Sequence, residues 1–249
     1  MLPLKKQKPA GSRKEGSVRY AGHLLPPRSI RAGGEEFKDD AYYLKSARLE
    51  ASRLVQKCGM TKASRVLDVG CGAGRLAVGI LAELGGVAAY TGVDVIRSTV
   101  DWCQRELQPT HPSLRFIHLD VANERYNPLG DAIEAQTRLP VEDASADVIN
   151  LYSVFSHMTY GDVVRYLQEL RRVIAPGGRL FLTAFIETDV PNYAINPPGY
   201  REQWTGALHC VRFERGFFED MLKEARLELL ELVHARETNG QSALYIAPV

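Results

Sequence analysis

The chain has 249 residues, of which 45% are hydrophobic and 24% are charged. These ordinary globular values exclude a chain that is disordered throughout or built from fibrous repeats. No run approaches the ~18 consecutive apolar residues of a membrane helix, so we expect no membrane span. The 31 basic and 30 acidic side chains nearly cancel, which excludes a whole-protein attraction to nucleic acid or to anionic membranes.

The N-terminal 38 residues differ from the rest because they are rich in glycine, proline and charge. Residues 1–31 hold eight basic side chains and one acid, so the remaining chain carries six more acids than bases. We predict a flexible basic arm over residues 1–38 and one domain over residues 39–249. We expect this arm to stay solvated, or to order on a ligand or across the subunit boundary of a homo-oligomer. No apolar segment follows its lysines, so we expect no secretory signal.

The cysteines indicate the compartment. Cys58, Cys71, Cys103 and Cys210 are widely spaced and include no C-x-x-C pair. This spacing fits neither a zinc site nor a disulfide framework, so we expect no metal. Free thiols are typical of a reducing compartment, and we expect a cytoplasmic protein.

The secondary structure follows from the periodicity. Apolar residues recur at helical spacing from Leu44 to Cys58, and Gly59 ends that helix. The predicted strands are residues 65–69, 88–93, 114–119, 147–152, 179–186, 227–233 and 243–246, and the further predicted helices are residues 74–84, 97–107, 163–174 and 214–225. This alternation predicts an α/β fold with a mainly parallel sheet and helices on both faces.

Two short motifs refine this pattern. Pro176-Gly177-Gly178 is expected to end a helix before the strand at residues 179–186. Asn239-Gly240 lies between the last two strands and is typical of a hairpin, so we expect that pair to be antiparallel.

A glycine-rich loop follows the first strand of the predicted sheet, where residues 66–75 read VLDVGCGAGR. Glycines at this place permit positive φ angles and let a ligand contact the backbone where a Cβ would clash. The spacing matches neither the dinucleotide fingerprint nor a phosphate loop. The carboxylate of Asp68 would repel a pyrophosphate but suits a cationic ligand.

Acidic side chains also end the next two predicted strands. Asp94 ends the second strand, where a carboxylate can accept hydrogen bonds from both hydroxyls of a ribose. Asp120 ends the third strand, where it can accept a hydrogen bond from an adenine amino group. Acids at the ends of three successive strands predict a nucleoside-binding edge that favours positive charge.

In these motifs, and in the helix–turn–strand at residues 170–180, the sequence resembles the class I S-adenosylmethionine-dependent methyltransferases. The resemblance spans residues 39–249, and residues 126–130 and 153–158 resemble a bacterial small-molecule subgroup. It implies a Rossmann-like, seven-stranded mixed sheet whose last strand is antiparallel, and S-adenosylmethionine as the cofactor. It also implies that the three loop glycines line the methionine part, that Asp94 holds the ribose, and that Asp120 and Val121 flank the adenine. The candidate cofactor-binding residues are Tyr20, Asp68, Gly70, Cys71, Gly72, Gly74, Arg75, Asp94, Val95, Asp120, Val121 and Ser153.

Methyl transfer is an in-line displacement at a sulfonium, so such a protein has to align the acceptor, exclude water and remove a proton where the acceptor requires it. His157 follows the fourth strand and titrates near neutral pH, which makes it the candidate base; a capping or packing role is the alternative. Tyr152, Phe155 and His157 are candidate acceptor-binding residues, and aromatic packing is the alternative for the first two.

Two further segments are candidates for covering the site. Residues 187–212 are interpreted as a substrate-covering insert in which Tyr193, Tyr200 and Trp204 bind the acceptor. Asn196-Pro197-Pro198 resembles the motif of amino-group methyltransferases but follows the fifth strand instead of the fourth, so its chemistry is not transferred. Tyr20, beside the arm, is a candidate lid residue that would stabilise the sulfonium by a cation–π contact.

Several functions remain open at this point. The first is methylation of a small molecule at O, N or C, for instance in natural-product biosynthesis. The alternatives are a methyltransferase of RNA or protein that grips its substrate with the basic arm, a non-catalytic cofactor-binding subunit, and a nicotinamide dehydrogenase. The near-neutral body and the lack of an added nucleic-acid module favour the first, and the glycine spacing opposes the last.

Overall fold

The computed structural model describes residues 16–134 and 137–249. Its strands are β1 (Val18–Tyr20), β2 (His23–Leu25), β3 (Arg65–Val69), β4 (Ala89–Asp94), β5 (Leu114–His118), β6 (Ala146–Leu151), β7 (Ile174–Glu187), β8 (Tyr193–Ile195), β9 (Val211–Glu214), β10 (Leu227–Val233) and β11 (Ser242–Pro248). Its α-helices are α1 (Asp40–Cys58), α2 (Arg75–Leu84), α3 (Arg97–Glu106), α4 (Tyr160–Val173) and α5 (Arg215–Glu224). No α-helix in the two described ranges is long and apolar enough to cross a bilayer.

Seven strands form the main path of the sheet in the order β10-β11-β7-β6-β3-β4-β5. Strands β3 to β7 run parallel to one another, and β11 is antiparallel to both β7 and β10. This confirms the predicted Rossmann-like mixed sheet with an antiparallel final strand. The residues of α1, α2 and α3 pack on one face, and those of α4 and α5 on the other.

The strand order creates a crevice at one edge of the sheet. From β3 the chain proceeds outward to β4 and β5 and then returns to β6 on the other side of β3. The connections that leave the carboxyl ends of β3 and β6 therefore diverge, and open α/β sheets bind ligands at such a point.

The ends of α1 show how the sequence sets the bounds of an element. Asp39 caps the helix by accepting a hydrogen bond from the backbone N–H of Tyr42. Gly59 ends it with a φ of 68°, a conformation that glycine adopts at little cost. The helix therefore begins a few residues before the periodic pattern that predicts it.

The Pro-Gly-Gly segment differs from its prediction. It lies inside β7, which begins at Ile174, directly after α4. Ile174 pairs with Ala146, and the register then shifts so that Arg179 pairs with Val148. The extra residues form an irregularity in an already paired strand instead of a break between helix and strand.

The stretch expected to be irregular at residues 187–212 contains regular structure. Strand β9 pairs in parallel with the end of β7, and β8 pairs antiparallel with β9. These strands have three and four residues, which is too short for an alternating pattern to stand out in the sequence. The two strands extend the sheet beyond the crevice.

Residues 16–38 pack on the domain. Strands β1 and β2 form a hairpin in which Leu25 is fully buried. The Arg31 guanidinium, also buried, donates hydrogen bonds to the carbonyls of Pro26 and Phe37 and to Asp40 Oδ1. One arginine thus links the segment to the start of α1, a contact that composition alone does not reveal. The remainder of the predicted arm, residues 1–15, lies outside the described residues.

Candidate active site

The glycine loop at the end of β3 adopts the conformation expected from its sequence. Gly70, Gly72 and Gly74 have φ angles of 76°, 51° and 75°. The backbone N–H groups of Gly70 and Cys71 both donate to the carbonyl of Val93, at 2.8 and 3.1 Å, which ties the loop to β4. A Cβ added to Gly72 would meet nothing within 4 Å, so this backbone position borders open space. The loop therefore offers bare backbone to a ligand.

Asp94 closes the loop from the end of β4. Its Oδ2 accepts a hydrogen bond from the backbone N–H of Gly72 at 2.7 Å, and its Oδ1 accepts one from Ile96 at 2.8 Å. Burial raises the pKa of this carboxyl, whereas the backbone N–H groups of Ile96, Gly72 and Val95 oppose the shift. A carboxylate has about four lone-pair sites, so capacity to accept hydrogen bonds from a ligand remains.

The third predicted acid lies at the next strand end but is exposed. Asp120 Oδ1 accepts a hydrogen bond from Asn127 Nδ2 at 2.9 Å, and the following Val121 is buried. The carbonyl of Val95 lies 3.1 Å from His118 Nε2. These residues border the carboxyl ends of β4 and β5, where the family resemblance predicts the adenine.

Asp68 differs from the sequence interpretation. Its carboxylate is 2% exposed and accepts hydrogen bonds from the Tyr90 hydroxyl at 2.6 Å and from Asn150 Nδ2 at 2.7 Å. Burial and the nearby Glu50 raise its pKa to about 7. The side chain is buried, and each of its two oxygens already accepts a hydrogen bond from the protein. The Cys71 thiol is likewise buried, in the space that the missing side chain of Gly92 leaves open.

Arg75 begins α2 directly after the loop. Its Nη2 lies 2.9 Å from Glu50 Oε2, and its guanidinium carbon lies 4.6 Å from the ring centre of Tyr152. On another side the guanidinium stacks on Phe37, at 5.2 Å. Phe37 is therefore one aromatic residue ahead of β3 that contacts the residue following the loop.

Tyr20, the aromatic residue chosen from the sequence, lies on β1 of the hairpin and is 39% exposed. Next to β1, the Ser17 hydroxyl accepts a hydrogen bond from Trp102 Nε1 of α3 at 3.0 Å. The hairpin is therefore attached to α3. The contact of Tyr20 with the cofactor stays a prediction.

Ser153, just after β6, is fixed by a closed ring of hydrogen bonds. Its N–H donates to Thr183 Oγ1 at 2.8 Å, Thr183 donates to Gln241 Oε1 at 2.7 Å, and Gln241 Nε2 donates to Ser153 Oγ at 2.8 Å. Thr183 and Gln241 are almost completely buried. Ser153 has a φ of 60°, a strained value for a non-glycine residue.

This ring also reaches the glycine loop. The residue after Ser153 is Val154, and a Cβ added to Gly70 would lie 2.5 Å from Val154 Cγ2. The loop after β6 therefore packs directly on the first glycine. We infer that the conformation of Ser153 sets the shape of the crevice.

The two aromatic residues next to Ser153 have different positions. The Tyr152 hydroxyl lies 2.9 Å from Thr238 Oγ1 and 3.2 Å from Glu237 Oε2, at the margin of the crevice. Phe155 is fully buried and packs against Phe218, with ring centres 6.4 Å apart. Phe155 belongs to the core below the site, which was the alternative for it in the sequence.

His157 is held by its surroundings. Its Nδ1 lies 3.0 Å from the carbonyl oxygen of Leu208, and its ring makes an edge contact with Tyr126 at 5.5 Å. Burial lowers its pKa to about 4. The imidazole is therefore neutral at pH 7 and a weak base, and proton transfer by His157 stays a prediction.

The insert at residues 187–212 places two of its three aromatic candidates together. Phe185, at the end of β7, makes edge contacts with Tyr200 and Trp204, with ring centres 5.8 and 5.4 Å apart. Glu187 accepts a hydrogen bond from the Tyr200 hydroxyl at 2.7 Å. Tyr193 stacks instead on Tyr160, at 5.7 Å, and is 45% exposed.

Three residues next to the loops at this edge are not among the candidates predicted from the sequence. Phe37 belongs to the segment interpreted as a flexible arm. Thr183 and Gln241 carry a usable signal, because each is polar beside strand residues that face the core. A buried polar side chain in a strand needs a partner, but the sequence does not say which one.

The chain is similar in sequence to known methyltransferases. Residues 67–182 match a family model described as a methyltransferase domain. The chain is 35% identical over 119 residues to phthiotriol/phenolphthiotriol dimycocerosates methyltransferase 1 of Mycobacterium ulcerans, covering 48% of this chain and 36% of that protein. It is 26% identical over 143 residues to demethylmenaquinone methyltransferase of Staphylococcus aureus, covering 57% of this chain and 51% of that protein.

Among solved structures, the fold is similar to magnesium protoporphyrin IX methyltransferase from Synechocystis PCC 6803, which was crystallised with its bound cofactor. The TM-score is 0.57 with 14% identity, covering 89% of this chain and 88% of that one. The aligned regions span about half of the curated relatives or less.

Proposed function

We propose that this chain, which carries a class I S-adenosylmethionine-dependent methyltransferase domain, transfers a methyl group from that cofactor to a small organic acceptor. The observation that carries the proposal is the loop of three positive-φ glycines closed by Asp94 at the carboxyl edge of the sheet. Such an edge is the ligand site of open α/β sheets.

The residues present fit S-adenosylmethionine. Gly72 exposes bare backbone to open space, and Asp94 keeps lone pairs for the two ribose hydroxyls. Asp120 and Val121 border the place proposed for the adenine. The cofactor supplies a methyl group that its positively charged sulfur already activates, so the protein has only to hold and orient the two reactants.

The acceptor side is proposed to lie beside Ser153. Tyr152 and Ser153 form the polar floor of this region, with Thr183 and Gln241 buried beneath them. Phe185, Tyr200 and Trp204 form an aromatic wall beside it, because residues two apart on a strand share a face and Phe185 therefore lies about 7 Å beyond Thr183 along β7. An aromatic wall beside a polar floor suits a small aromatic or conjugated acceptor.

In the proposed mechanism, no side chain acts as a general base. The Ser153–Thr183–Gln241 ring positions the loop, and the insert at residues 187–212 excludes water. Exclusion of water matters because a nearby water molecule competes for reactive groups. An acceptor hydroxyl that is already acidic can lose its proton to solvent before the acceptor enters the site.

The test is methyl transfer from S-adenosylmethionine carrying a labelled methyl group. The purified full chain is incubated with three acceptor classes: small phenols and quinols, total RNA, and a mixture of unmodified proteins. We expect label in the small molecules and saturable binding of S-adenosylhomocysteine by calorimetry. Label in RNA, with strong salt dependence, would instead support the alternative that uses the basic segment. Cofactor binding without label in any class would favour a non-catalytic role.

A further inference from the structure

The insert ends on an arginine that forms no salt bridge with any described residue. Arg212 lies on β9, directly opposite Phe185 of β7. Paired residues on neighbouring strands share a face of the sheet, so Arg212 belongs to the aromatic wall beside the crevice. Its guanidinium carbon lies 5.1 Å from the ring centre of Tyr200.

Three other arginines around the crevice have an acidic partner. Their nitrogen–oxygen distances are 2.9 Å for Arg75 and Glu50, 2.9 Å for Arg53 and Glu237, and 2.6 Å for Arg201 and Glu187. Within residues 16–134 and 137–249, Arg212 forms no salt bridge, and its Nε is buried without a hydrogen-bond acceptor.

The acid beside the Tyr200 ring is already engaged. Glu187 Oε1 accepts hydrogen bonds from the Tyr200 hydroxyl and from Arg201, and Oε2 lies 2.9 Å from His234 Nε2. Two arginines face the Tyr200 ring, at 5.0 and 5.1 Å, and Glu187 forms a salt bridge with only one of them, Arg201. Arg212 is the arginine of this pair that has no salt bridge among the described residues.

The cation–π contact between Arg212 and Tyr200 does not replace the missing ion pair of Arg212. A cation–π contact is worth less than a buried ion pair, and a partly buried charge without a hydrogen-bonded partner is unfavourable. A guanidinium presents a planar fork that binds a carboxylate or a phosphate with two parallel hydrogen bonds. An anionic group on a bound molecule would satisfy it.

We propose that Arg212 binds an anionic group, a carboxylate or a phosphate, on the methyl acceptor. This inference rests on the proposed function and adds the class of acceptor: an aromatic anion that stacks on the Phe185, Tyr200 and Trp204 wall. Two residues along a strand span about 7 Å, so Arg212 lies about one aromatic ring beyond Thr183 and Ser153. The anionic group and the methyl-accepting atom therefore lie on opposite sides of the acceptor ring.

The test compares matched acids and esters. The probes are 4-hydroxybenzoate, 3-(4-hydroxyphenyl)propionate and 4-hydroxycinnamate, each with its methyl ester, together with 4-hydroxyphenyl phosphate and inorganic phosphate. Calorimetry measures binding to the full chain saturated with S-adenosylhomocysteine. We expect at least one anion to bind about tenfold more tightly than its neutral counterpart, as a charge-assisted hydrogen bond allows. The relative affinities of the carboxylates and the aryl phosphate then identify the anion.

The variants assign that preference to one residue. Arg212→Gln should bring acid and ester to equal affinity, and Arg212→Lys should keep part of the preference. Arg226→Gln removes an exposed arginine in the turn between α5 and β10 and should behave as the wild type. If Arg212→Gln does not fold, the ratio of acid affinity to ester affinity is compared between the wild type and Arg212→Lys. A lower ratio in Arg212→Lys supports the inference, and an equal ratio contradicts it.

Three outcomes would overturn the inference: no acid that binds more tightly than its ester, an acid preference that survives Arg212→Gln, or inorganic phosphate that binds as tightly as the aryl probes. Failure of the proposed function is distinct from these. It would show as an absence of S-adenosylhomocysteine binding before any acceptor is added.

Discussion

The carboxylate of Asp94 accepts a hydrogen bond from the backbone N–H of Gly72 at 2.7 Å, which joins the end of β4 to the middle of the glycine loop. The loop is therefore held in its ligand-binding shape by the same side chain that is proposed to bind the ribose. A site arranged in advance loses little conformational entropy when its ligand arrives.

Replacement of Asp94 by alanine should weaken the binding of S-adenosylhomocysteine about tenfold or more. The substitution removes hydrogen bonds to a charged acceptor, worth about 1.5–3 kcal/mol each, and frees the Gly72 N–H. Asp101→Ala, on the exposed side of α3, is the matched control and should leave the affinity unchanged. Calorimetry of both variants decides, and wild-type affinity in Asp94→Ala would refute the ribose assignment.

Replacement of Gly72 by alanine separates backbone strain from loss of ligand space. Gly72 and Gly59 have φ angles of 51° and 68°, and an added Cβ meets nothing within 4 Å at either. Both substitutions should therefore lower the free energy of unfolding by a similar amount, about 1–2 kcal/mol. Only Gly72→Ala should also impair cofactor binding, because only that residue borders the proposed site. Equal cofactor affinity in both variants would place the ligand elsewhere.

Substitutions in the hydrogen-bonded ring of Ser153, Thr183 and Gln241 should have non-additive effects on stability. Gln241→Met and Thr183→Val each leave buried polar groups without partners, and each should lower the free energy of unfolding by about 1–3 kcal/mol. The double variant should lose clearly less than the sum, because both changes break the same ring. Turnover should fall in both single variants while the affinity for S-adenosylhomocysteine changes less. Additive losses in urea unfolding would contradict a closed ring.

His157 should affect stability at low pH more than it affects catalysis. Its pKa is about 4 in the folded protein against 6.5 ordinarily, so between these values the unfolded chain binds a proton that the folded chain does not. Stability therefore falls as the pH decreases through 6.5 towards 4, and at pH 5 the loss is about 2 kcal/mol.

His157→Gln should remove this part of the pH dependence, which urea unfolding of both proteins at pH 5 and pH 7.5 measures. Comparing the two proteins cancels the other groups that titrate, such as Asp68. At pH 7.5 the turnover of the variant should stay within about tenfold of the wild type, since loss of a general base costs about 10²–10⁴. A greater loss of turnover would support the prediction that His157 is a base.

The sequence predicts the sheet well because strand–helix alternation and the glycine loop are local patterns. Each predicted element of the domain occurs within a few residues of its position, and the hairpin signal at Asn239-Gly240 correctly indicates the antiparallel final pair. The predicted ends of a strand are wrong where pairing with a neighbouring strand sets the true end. β7 is an example, because Ile174 already pairs with Ala146 and the strand continues through Pro176.

The site is harder to predict because its contacts join distant parts of the chain. Gln241 bonds to a residue 88 positions away, and Asp68 to one 82 positions away. The sequence places Asp68 at a strand end but does not show that Tyr90 and Asn150 occupy its carboxylate. Phe37 reaches Arg75 only because the segment before α1 packs on the domain.

The most direct test of the proposed site is a crystal structure of the full chain with S-adenosylhomocysteine. We expect the compound across the carboxyl ends of β3, β4 and β5, with its ribose hydroxyls on Asp94 and its amino-acid part along Gly70, Gly72 and Gly74. A well-diffracting crystal that holds the compound at another place, or that shows this edge empty at saturating concentration, would contradict the assignment.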